Sequence, residues 1–295
     1  AERVSQVASG SMTTSWFGLR GSESLGGAVR ASFALESFLR TDTGNSGRFT
    51  GDGFFTRNAF VGLHGNFGNV RLGRNTTPLF VSTLLFNAFG DSFGFSPSIR
   101  QQFTPSTGLA FFGDTGWNNS VAYASPALGG LSLELLANAG EGAAGASGAN
   151  LSVGARYFAR PFAAAATWQR VRNGAFGTPA GWARQDTWQL GASVDFFWLK
   201  AFGQVSRVQT YAALKTGSDL WGLGVSVPLG SGSVLLQYGA ADANLGASKI
   251  DNRTLSLGYK SPLSKRTDIY AVAMRDSLTA KTTGNSLALG MRTRF

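Results

Sequence analysis

Apolar and polar residues alternate along most of the chain with a period of two. In the C-terminal segment, Leu287, Leu289 and Met291 alternate with small or polar residues that include Ser286 and Arg292. Because successive side chains of a β-strand point to opposite faces, this segment has one apolar face and one polar face. The same alternation recurs throughout the chain and predicts an all-β fold.

The alternating segments number about fifteen, and each is roughly ten residues long, which is the length that a tilted strand needs to cross a bilayer. Their predicted spans are 12–22, 26–40, 55–67, 69–75, 117–125, 130–138, 149–159, 161–171, 185–196, 197–208, 218–228, 231–241, 249–260, 266–276 and 284–295. Short turns alternate with longer polar or glycine-rich loops, and the longer loops are 41–54, 76–116, 139–148, 172–184, 209–217, 242–248 and 277–283. This arrangement is typical of an outer-membrane barrel with periplasmic turns and extracellular loops.

The sequence therefore predicts a transmembrane antiparallel β-barrel that occupies 1–295 as a single domain. Bacterial single-chain barrels have an even number of strands, and the segment AERVSQVASG resembles the tail of a further strand. We expect sixteen strands, with the start of the first strand missing from the chain. A soluble β-sandwich would also alternate, but the aromatic residues here cluster near segment ends, as they do at membrane interfaces.

Composition agrees with a membrane protein that spans as strands. Charged residues make up 14% of the chain, against about 25% in a typical soluble domain. An apolar content of 43% and an aromatic content of 12% argue against disorder. No stretch approaches the length of about 18 uninterrupted apolar residues that a transmembrane helix requires.

The chain offers little for catalysis or metal binding. It has no cysteine and a single histidine, His64, so we expect no catalytic residue, no metal site and no cofactor. An outer-membrane lipase or protease would need a Ser–His or Asp–His constellation, and His64 lies at a short-turn end, the wrong side for that pattern. We therefore expect a protein that is not an enzyme.

The positive charge is spread along the chain. Twenty Arg and six Lys face sixteen acidic residues, for a formal net charge of +10. A soluble nucleic-acid binder would collect its cations in a patch, whereas no three basic residues are consecutive here, so we expect no nucleic-acid partner. The residues that alternation assigns to the lumen are Arg20, Arg30, Arg40, Arg71, Arg156, Lys260, Arg292 and Arg294, with Glu36, Glu134 and Asp195 as counter-charges. Because rings of Arg and Lys favour anions, this pattern predicts a pore with anion preference.

Four stretches together resemble the general porins of Gram-negative bacteria, in the betaproteobacterial branch. They are SWFGLRGSESLGGAVRASFALES at 15–37, RNAFVGLHGNFGNVRLGRN at 57–75, NNSVAYASPALGGLS at 118–132 and LGYKSPLSKRTDIYA at 257–271. The resemblance implies a sixteen-stranded barrel, usually a homotrimer, in contact with outer-membrane lipid and lipopolysaccharide. It also implies passive diffusion of small anionic or neutral solutes, and Phe295 matches the assembly signal of the family. The alternative function is a substrate-specific porin that binds a small organic anion at the constriction, where Trp16 and Phe38 would stand beside arginine.

The loop 76–116 is too long for a compact fold unless it has a function. It is also unusually apolar, with phenylalanines such as Phe80, Phe89 and Phe95, and an exposed loop would not be built in this way. In the porin family the third extracellular loop folds inward and narrows the pore. We therefore expect 76–116 to be this constriction loop, while a cap over the mouth or a contact with a neighbouring subunit is the alternative.

The resemblance also implies an arginine cluster on the wall opposite the loop. Trp16 and Ala122 occupy two of its three positions here, and Arg74 occupies the third. Strict alternation from Arg71 would turn Arg74 outward, so its pore role rests on the resemblance or on a local bulge. The alternative is a salt bridge to a wall carboxylate such as Glu36. The complete candidate set for the pore lining is Trp16, Arg20, Arg30, Glu36, Arg40, Arg71, Arg74, Asp91 and Asp114.

Overall fold

The structure is a computed structural model, and it describes residues 3–138, 148–175 and 177–295. Most of the predicted loop 139–148 and one residue of the predicted loop 172–184 lie outside these ranges. The strands are β1 (Trp16–Gly26), β2 (Val29–Arg40), β3 (Asn45–Ser46), β4 (Asn58–Gly65), β5 (Gly68–Thr76), β6 (Gly116–Ala124), β7 (Leu131–Asn138), β8 (Asn150–Ala159), β9 (Phe162–Val171), β10 (Arg184–Asp195), β11 (Lys200–Tyr211), β12 (Thr216–Leu229), β13 (Gly232–Leu245), β14 (Ser248–Pro262), β15 (Thr267–Leu278) and β16 (Gly284–Thr293). Two helices lie between β5 and β6, namely α1 (Pro78–Leu85) and α2 (Pro97–Phe103). Among the described residues, no helix is long and apolar enough to cross a membrane.

The strands form one antiparallel sheet in which each strand pairs with the next along the chain. The two-residue strand β3 departs from this path, because it pairs with the end of β2 through Leu39↔Ser46 and Arg40↔Asn45. The described sheet thus contains sixteen strands, and all except β3 belong to the meander. The predicted all-β antiparallel fold is confirmed.

The two faces of the sheet differ in polarity. In β10, Leu190 is 51% exposed whereas Gln189 is 1% exposed, and in β14, Leu257 is 50% exposed whereas Ser256 is fully buried. A soluble protein has the opposite arrangement, because the burial of apolar side chains drives its folding. The outer face of this sheet is therefore suited to lipid and the inner face to polar contacts, as the alternation predicts.

Some strands extend beyond the apolar alternation. The predicted loop 242–248 is mostly strand, because β13 continues to Leu245 and β14 begins at Ser248, with Asp242 opposite Asp251. The hydrophobic pattern stops where contact with lipid stops, whereas backbone hydrogen bonding between neighbouring strands needs no apolar side chain. The hairpin therefore continues into water.

The first predicted strand, 12–22, begins too early. In the structure β1 begins at Trp16, and the residues before it contact the long loop. The Gly94 amide donates a hydrogen bond to the Ser11 carbonyl at 3.0 Å, and Met12 is buried in an apolar cluster with residues of that loop. The alternation here reflects packing against the loop rather than membership of a strand.

The long connection between β5 and β6 lies against the inner face of the sheet. Helix α1 packs on β7, β8, β9 and β10, and helix α2 packs on β12, β13 and β14. The Arg292 guanidinium of β16 donates a hydrogen bond to Thr13 Oγ1 at 3.1 Å, three residues before β1. The two ends of the meander thus approach each other around the helices, and the predicted inward fold of this loop is confirmed.

Each helix begins at a hydroxyl residue that is followed by proline. Thr77 Oγ1 accepts a hydrogen bond from the Phe80 amide at 3.2 Å, and Ser96 Oγ accepts one from the Ile99 amide at 3.3 Å. Proline suits the first helical position because its missing N–H would have no partner there. These caps place two short rigid segments inside the barrel.

Buried amide side chains of the wall hold the loop in place. Gln189 Nε2 donates to Thr83 Oγ1 at 2.8 Å, and Gln237 Nε2 donates to Ser98 Oγ at 2.8 Å. Buried polar groups need hydrogen-bond partners, and the loop supplies them. The inner wall is therefore polar even where the loop excludes water from it.

Two glycines make room for the phenylalanines of the loop. A Cβ atom at Gly191 would lie 2.5 Å from the Phe86 ring, and one at Gly258 would lie 3.1 Å from the Phe89 ring. Glycine at these positions lets the aromatic rings approach the backbone of the wall. Small residues on the inner face of the sheet thus accommodate the apolar side chains of the loop.

Candidate functional site

A cavity of about 280 Å³ lies between the loop and the wall of β1 to β7. The wall contributes Trp16, Phe38, Arg57, Arg71, Ala122 and Leu136, and the loop contributes Pro78, Phe80, Val81, Leu84, Asp91 and Phe93. The cavity therefore has cationic and aromatic groups on one side and a largely apolar helix on the other.

One group of wall residues is organised around Glu36. This carboxylate is fully buried and accepts hydrogen bonds from Arg20, from Arg57 and from Asn58 Nδ2, the last at 2.7 Å. The Arg57 guanidinium lies over the Trp16 ring at 4.0 Å from its centroid, and that of Arg20 lies at 5.4 Å. Such cation–π contacts fix the ring. Glu36 balances one of the two arginine charges, so the group remains cationic.

Arg71 lies deeper along the same wall. It stands opposite Ala122 in the pairing of β5 with β6, and its guanidinium lies over the Phe60 ring at 5.1 Å. The neighbouring carboxylate Glu134 pairs with Arg156. Within the described ranges, Arg71 forms no ion pair, and its Nε is buried without a hydrogen-bond partner. Its positive charge is therefore available to the cavity.

A second ionic network joins the base of the loop to the segment between β3 and β4. Asp114 is buried and accepts hydrogen bonds from Arg48 Nη1 at 2.6 Å and from Arg74 Nη2 at 3.1 Å. Arg48 also donates from Nε to Asp52 at 2.9 Å. The two arginines thus clamp one carboxylate of the loop.

Arg74 occupies this network because the register of β5 shifts between Gly73 and Asn75. This is the local bulge that a departure from strict alternation requires, and the φ angle of 130° at Gly73 allows it. The carboxylate partner of Arg74 is Asp114 rather than Glu36, because Glu36 is bonded to Arg20 and Arg57.

The other candidate residues are dispersed. Asp91 lines the cavity and accepts a hydrogen bond from Thr13 Oγ1 at 2.9 Å. Arg30 is exposed near the short-turn end of β2 and bonds Ser22, whereas Arg40 lies at the opposite end of β2. Phe295 is fully exposed beyond the end of β16.

Two cavity residues were missed by the alternation. Arg57 stands in the irregular segment before β4, and alternation from Asn58 would have turned it outward. Arg48 lies in a loop without periodicity, beside Phe49 and Asp52. Neither position carries a periodic signal in the sequence that would have indicated the cavity.

The electrostatic state of the Asp114 network follows from its contacts. Burial raises the pKa of Asp114, but the hydrogen bond and charge of Arg48 and the charge of Arg74 outweigh it, so that the pKa lies below its ordinary value. The pKa of Asp52 is lowered for the same reason, with Arg48 as the hydrogen-bond donor. Both carboxylates are therefore ionised at neutral pH.

We expect the network to resist mild acid. A carboxylate with a depressed folded pKa stabilises the fold above its unfolded pKa, and this contribution is lost as pH falls through the folded pKa. Open-channel current noise should therefore stay constant from about pH 7 down to about pH 4 and rise below that. Single-channel recording at stepwise lower pH checks this, and a rise already above about pH 5 would contradict it.

Comparison with known proteins places this geometry in a family. A sequence model described as Gram-negative porin matches residues 1–281. Outer membrane porin protein 32 of Delftia acidovorans is 35% identical over 283 residues, which cover 88% of this chain and 73% of that protein. An outer membrane porin protein of Bordetella pertussis is 26% identical over an alignment of 329 positions, which covers 95% of this chain and 82% of that protein.

A solved structure agrees with these relatives. The anion-selective porin from Comamonas acidovorans superposes with a TM-score of 0.78 at 28% identity, and the match covers 96% of this chain and 90% of that porin. Apolar residues on the outer face, polar residues on the inner face and a loop folded inward are the features expected of such a channel. The chain belongs to the Gram-negative porin family of outer-membrane proteins.

Proposed function

We propose that the protein forms a water-filled channel through which small hydrophilic solutes diffuse passively across the outer membrane, with a preference for anions. The observation that carries this proposal is Arg71, whose guanidinium lines the cavity and forms no salt bridge in the described residues, because the nearby Glu134 is paired with Arg156. The relatives are channels rather than enzymes, and one structural relative is named as anion-selective.

The local charge predicts a moderate preference. The charged residues that line the cavity are Arg48, Arg57, Arg71, Asp91 and Glu134. Three arginines against two carboxylates leave a balance of +1 at the narrow part, although the whole chain carries +10. Because local charge acts at short range in a salt solution, the cavity rather than the chain total sets the selectivity.

Reversal potentials provide the test. Detergent-purified protein in a planar bilayer under a potassium chloride gradient should give a reversal potential of the sign that reports chloride as the more permeant ion. The preference should weaken at high salt, since screening shortens the range of the arginine charges. A reversal potential that reports potassium as the more permeant ion would overturn the proposal.

The assembly proposed for the protein is a homotrimer. The outer face of β1, β2, β4 and β5 carries an apolar groove of about 660 Å³. Its lining includes the small residues Gly21 and Ala31 and the larger apolar residues Phe33, Val61 and Leu72. In a membrane, small residues let a second protein surface approach closely, which supports a subunit contact on this face.

Lipopolysaccharide is the lipid proposed to surround the upper part of the outer face. Beside the outward Trp168, the ion pair between Arg170 and Asp186 has an N···O distance of 2.7 Å. Arg253 of β14 and Asp242 of β13 form a corresponding pair. Charged pairs above a row of aromatic side chains suit the level of anionic headgroups.

A further inference from the structure

We infer that the constriction selects organic anions that carry an apolar body, and that small aromatic carboxylates are the chemical class it takes. This inference rests on the proposed anion preference and adds that the anion carries an apolar, aromatic part. The cavity brings the guanidinium groups of Arg57 and Arg71 together with apolar side chains of α1.

Helix α1 presents apolar side chains to the cavity and buries its hydroxyl side chains together with Leu79. Its polar residues Ser82 and Thr83 are fully buried, and Thr83 bonds Gln189 of the wall. Its apolar residues Val81 and Leu84 are partly exposed and line the cavity. A helix that only narrowed an aqueous pore would present its hydroxyl groups to the water and its aliphatic groups to the wall.

The apolar surface extends beyond the helix. Phe80 and Phe93 also line the cavity, with their ring centroids 5.9 Å apart, and Phe80 packs edge-on against Phe103 at 5.0 Å. These ring contacts hold the aromatic surface in place before any solute enters. A planar apolar solute can therefore stack or slide along it without reorganising the loop.

The opposite wall supplies the recognition of a carboxylate. Guanidinium groups bind carboxylates through paired N–H donors, and Arg71 forms no salt bridge within the described chain, since the neighbouring Glu134 is paired with Arg156. Its neighbours Ala122 and Leu136 are buried and apolar. Since a drier surrounding strengthens the attraction between opposite charges, these neighbours favour ion pairing with a solute.

The size of the cavity limits the ligand. Its volume of about 280 Å³ lies near the lower end of the range of roughly 300–1,000 Å³ that is usual for ligand pockets. One aromatic ring with one carboxylate fits this space, whereas a large or multiply charged anion would meet Asp91 and Glu134, which also line it.

Benzoate, acetate and benzylammonium test the inference on the unaltered protein. In planar bilayers carrying chloride current, benzoate should reduce the current in a saturable way at a concentration at least about tenfold lower than acetate, because each buried methylene is worth about a factor of four in affinity. Benzylammonium should block less than benzoate. Equal block by benzoate and acetate, or by benzoate and benzylammonium, would overturn the inference.

Two neighbouring leucines of α1 provide the matched variants. Leu84 lines the cavity, whereas Leu85 is also partly buried but does not line it. The variant Leu84→Ser should raise the half-blocking benzoate concentration about fivefold or more, and Leu85→Ser should leave it within about twofold. Equal effects of both variants would contradict the inference. Reversal potentials recorded in the same membranes report the anion preference separately, so its failure is distinguishable from a failure of aromatic selection.

Discussion

Replacing Arg71 by glutamate is expected to lower the chloride-over-potassium permeability ratio by at least about tenfold and to invert the selectivity. The change converts the charge balance of the cavity lining from +1 to −1. A charge a few ångströms from a passing ion contributes about 1 kcal/mol even where the surroundings resemble bulk water, and a drier wall enlarges this. Reversal potentials under a potassium chloride gradient provide the measurement.

The matched control for this variant is Arg30→Glu. It makes the same change of charge on the inner face, but Arg30 is exposed and does not line the cavity. We expect less than half the shift in the logarithm of the permeability ratio. If both variants shifted the ratio equally, the total charge of the lumen rather than the position of Arg71 would decide selectivity.

Replacing Asp114 by alanine is expected to loosen the base of the long loop between β5 and β6. The carboxylate accepts hydrogen bonds from Arg48 and Arg74 in a buried setting, and removal of one partner of a buried ion pair costs about 3–5 kcal/mol because a charge is left uncompensated. We expect the free energy of unfolding to fall by about 3 kcal/mol. Open-channel noise should rise, since the loop then moves within the pore.

Two further variants serve as controls for Asp114→Ala. One distinguishes the loss of the Asp114 charge from the effect of its backbone conformation, and the other compares the buried network with an exposed ion pair. Asp114 has a φ angle of +49°, which asparagine tolerates better than alanine, so Asp114→Asn should lose less stability, although it still leaves Arg74 without a carboxylate and Arg48 with Asp52 alone. Asp219→Ala breaks an exposed pair with Arg207 and should cost much less stability, because solvent screens the charges of an exposed ion pair. A loss at Asp219 as large as that at Asp114 would contradict a special role of the buried network.

Much of the fold follows from local pattern. Alternation along β10 and β14 predicts which side chains meet lipid, because a strand turns successive residues to opposite faces whatever its neighbours are. The apolar character of 76–116 predicts for a similar reason that this loop is covered, since phenylalanines such as Phe86 and Phe89 are not stable on an exposed loop, whereas its inward fold is what the resemblance to the porins implies. The glycines that these rings pack against, Gly191 and Gly258, are remote in sequence. The alternation of apolar and polar residues does not indicate these contacts.

The charged contacts of the site join residues that are distant in the sequence and that only folding brings together. Alternation places Arg71 on the inner face, but it does not reveal that Glu134 pairs with Arg156 and leaves Arg71 free of an ion pair among the described residues. Arg57 stands before the first residue of β4, where no periodicity applies, and only folding brings it over the Trp16 ring.

The amino-acid order alone thus establishes strands, their two faces and a long apolar loop that must be covered, because each depends on residues near one another in the chain. The sequence does not determine which arginine lines the cavity without a salt bridge. This depends on which of the many arginines pair with carboxylates of other strands and loops. The polarity of α1 is a second case. Thr83 faces the wall, where Gln189 Nε2 donates a hydrogen bond to its Oγ1, and this turns Val81 and Leu84 toward the pore.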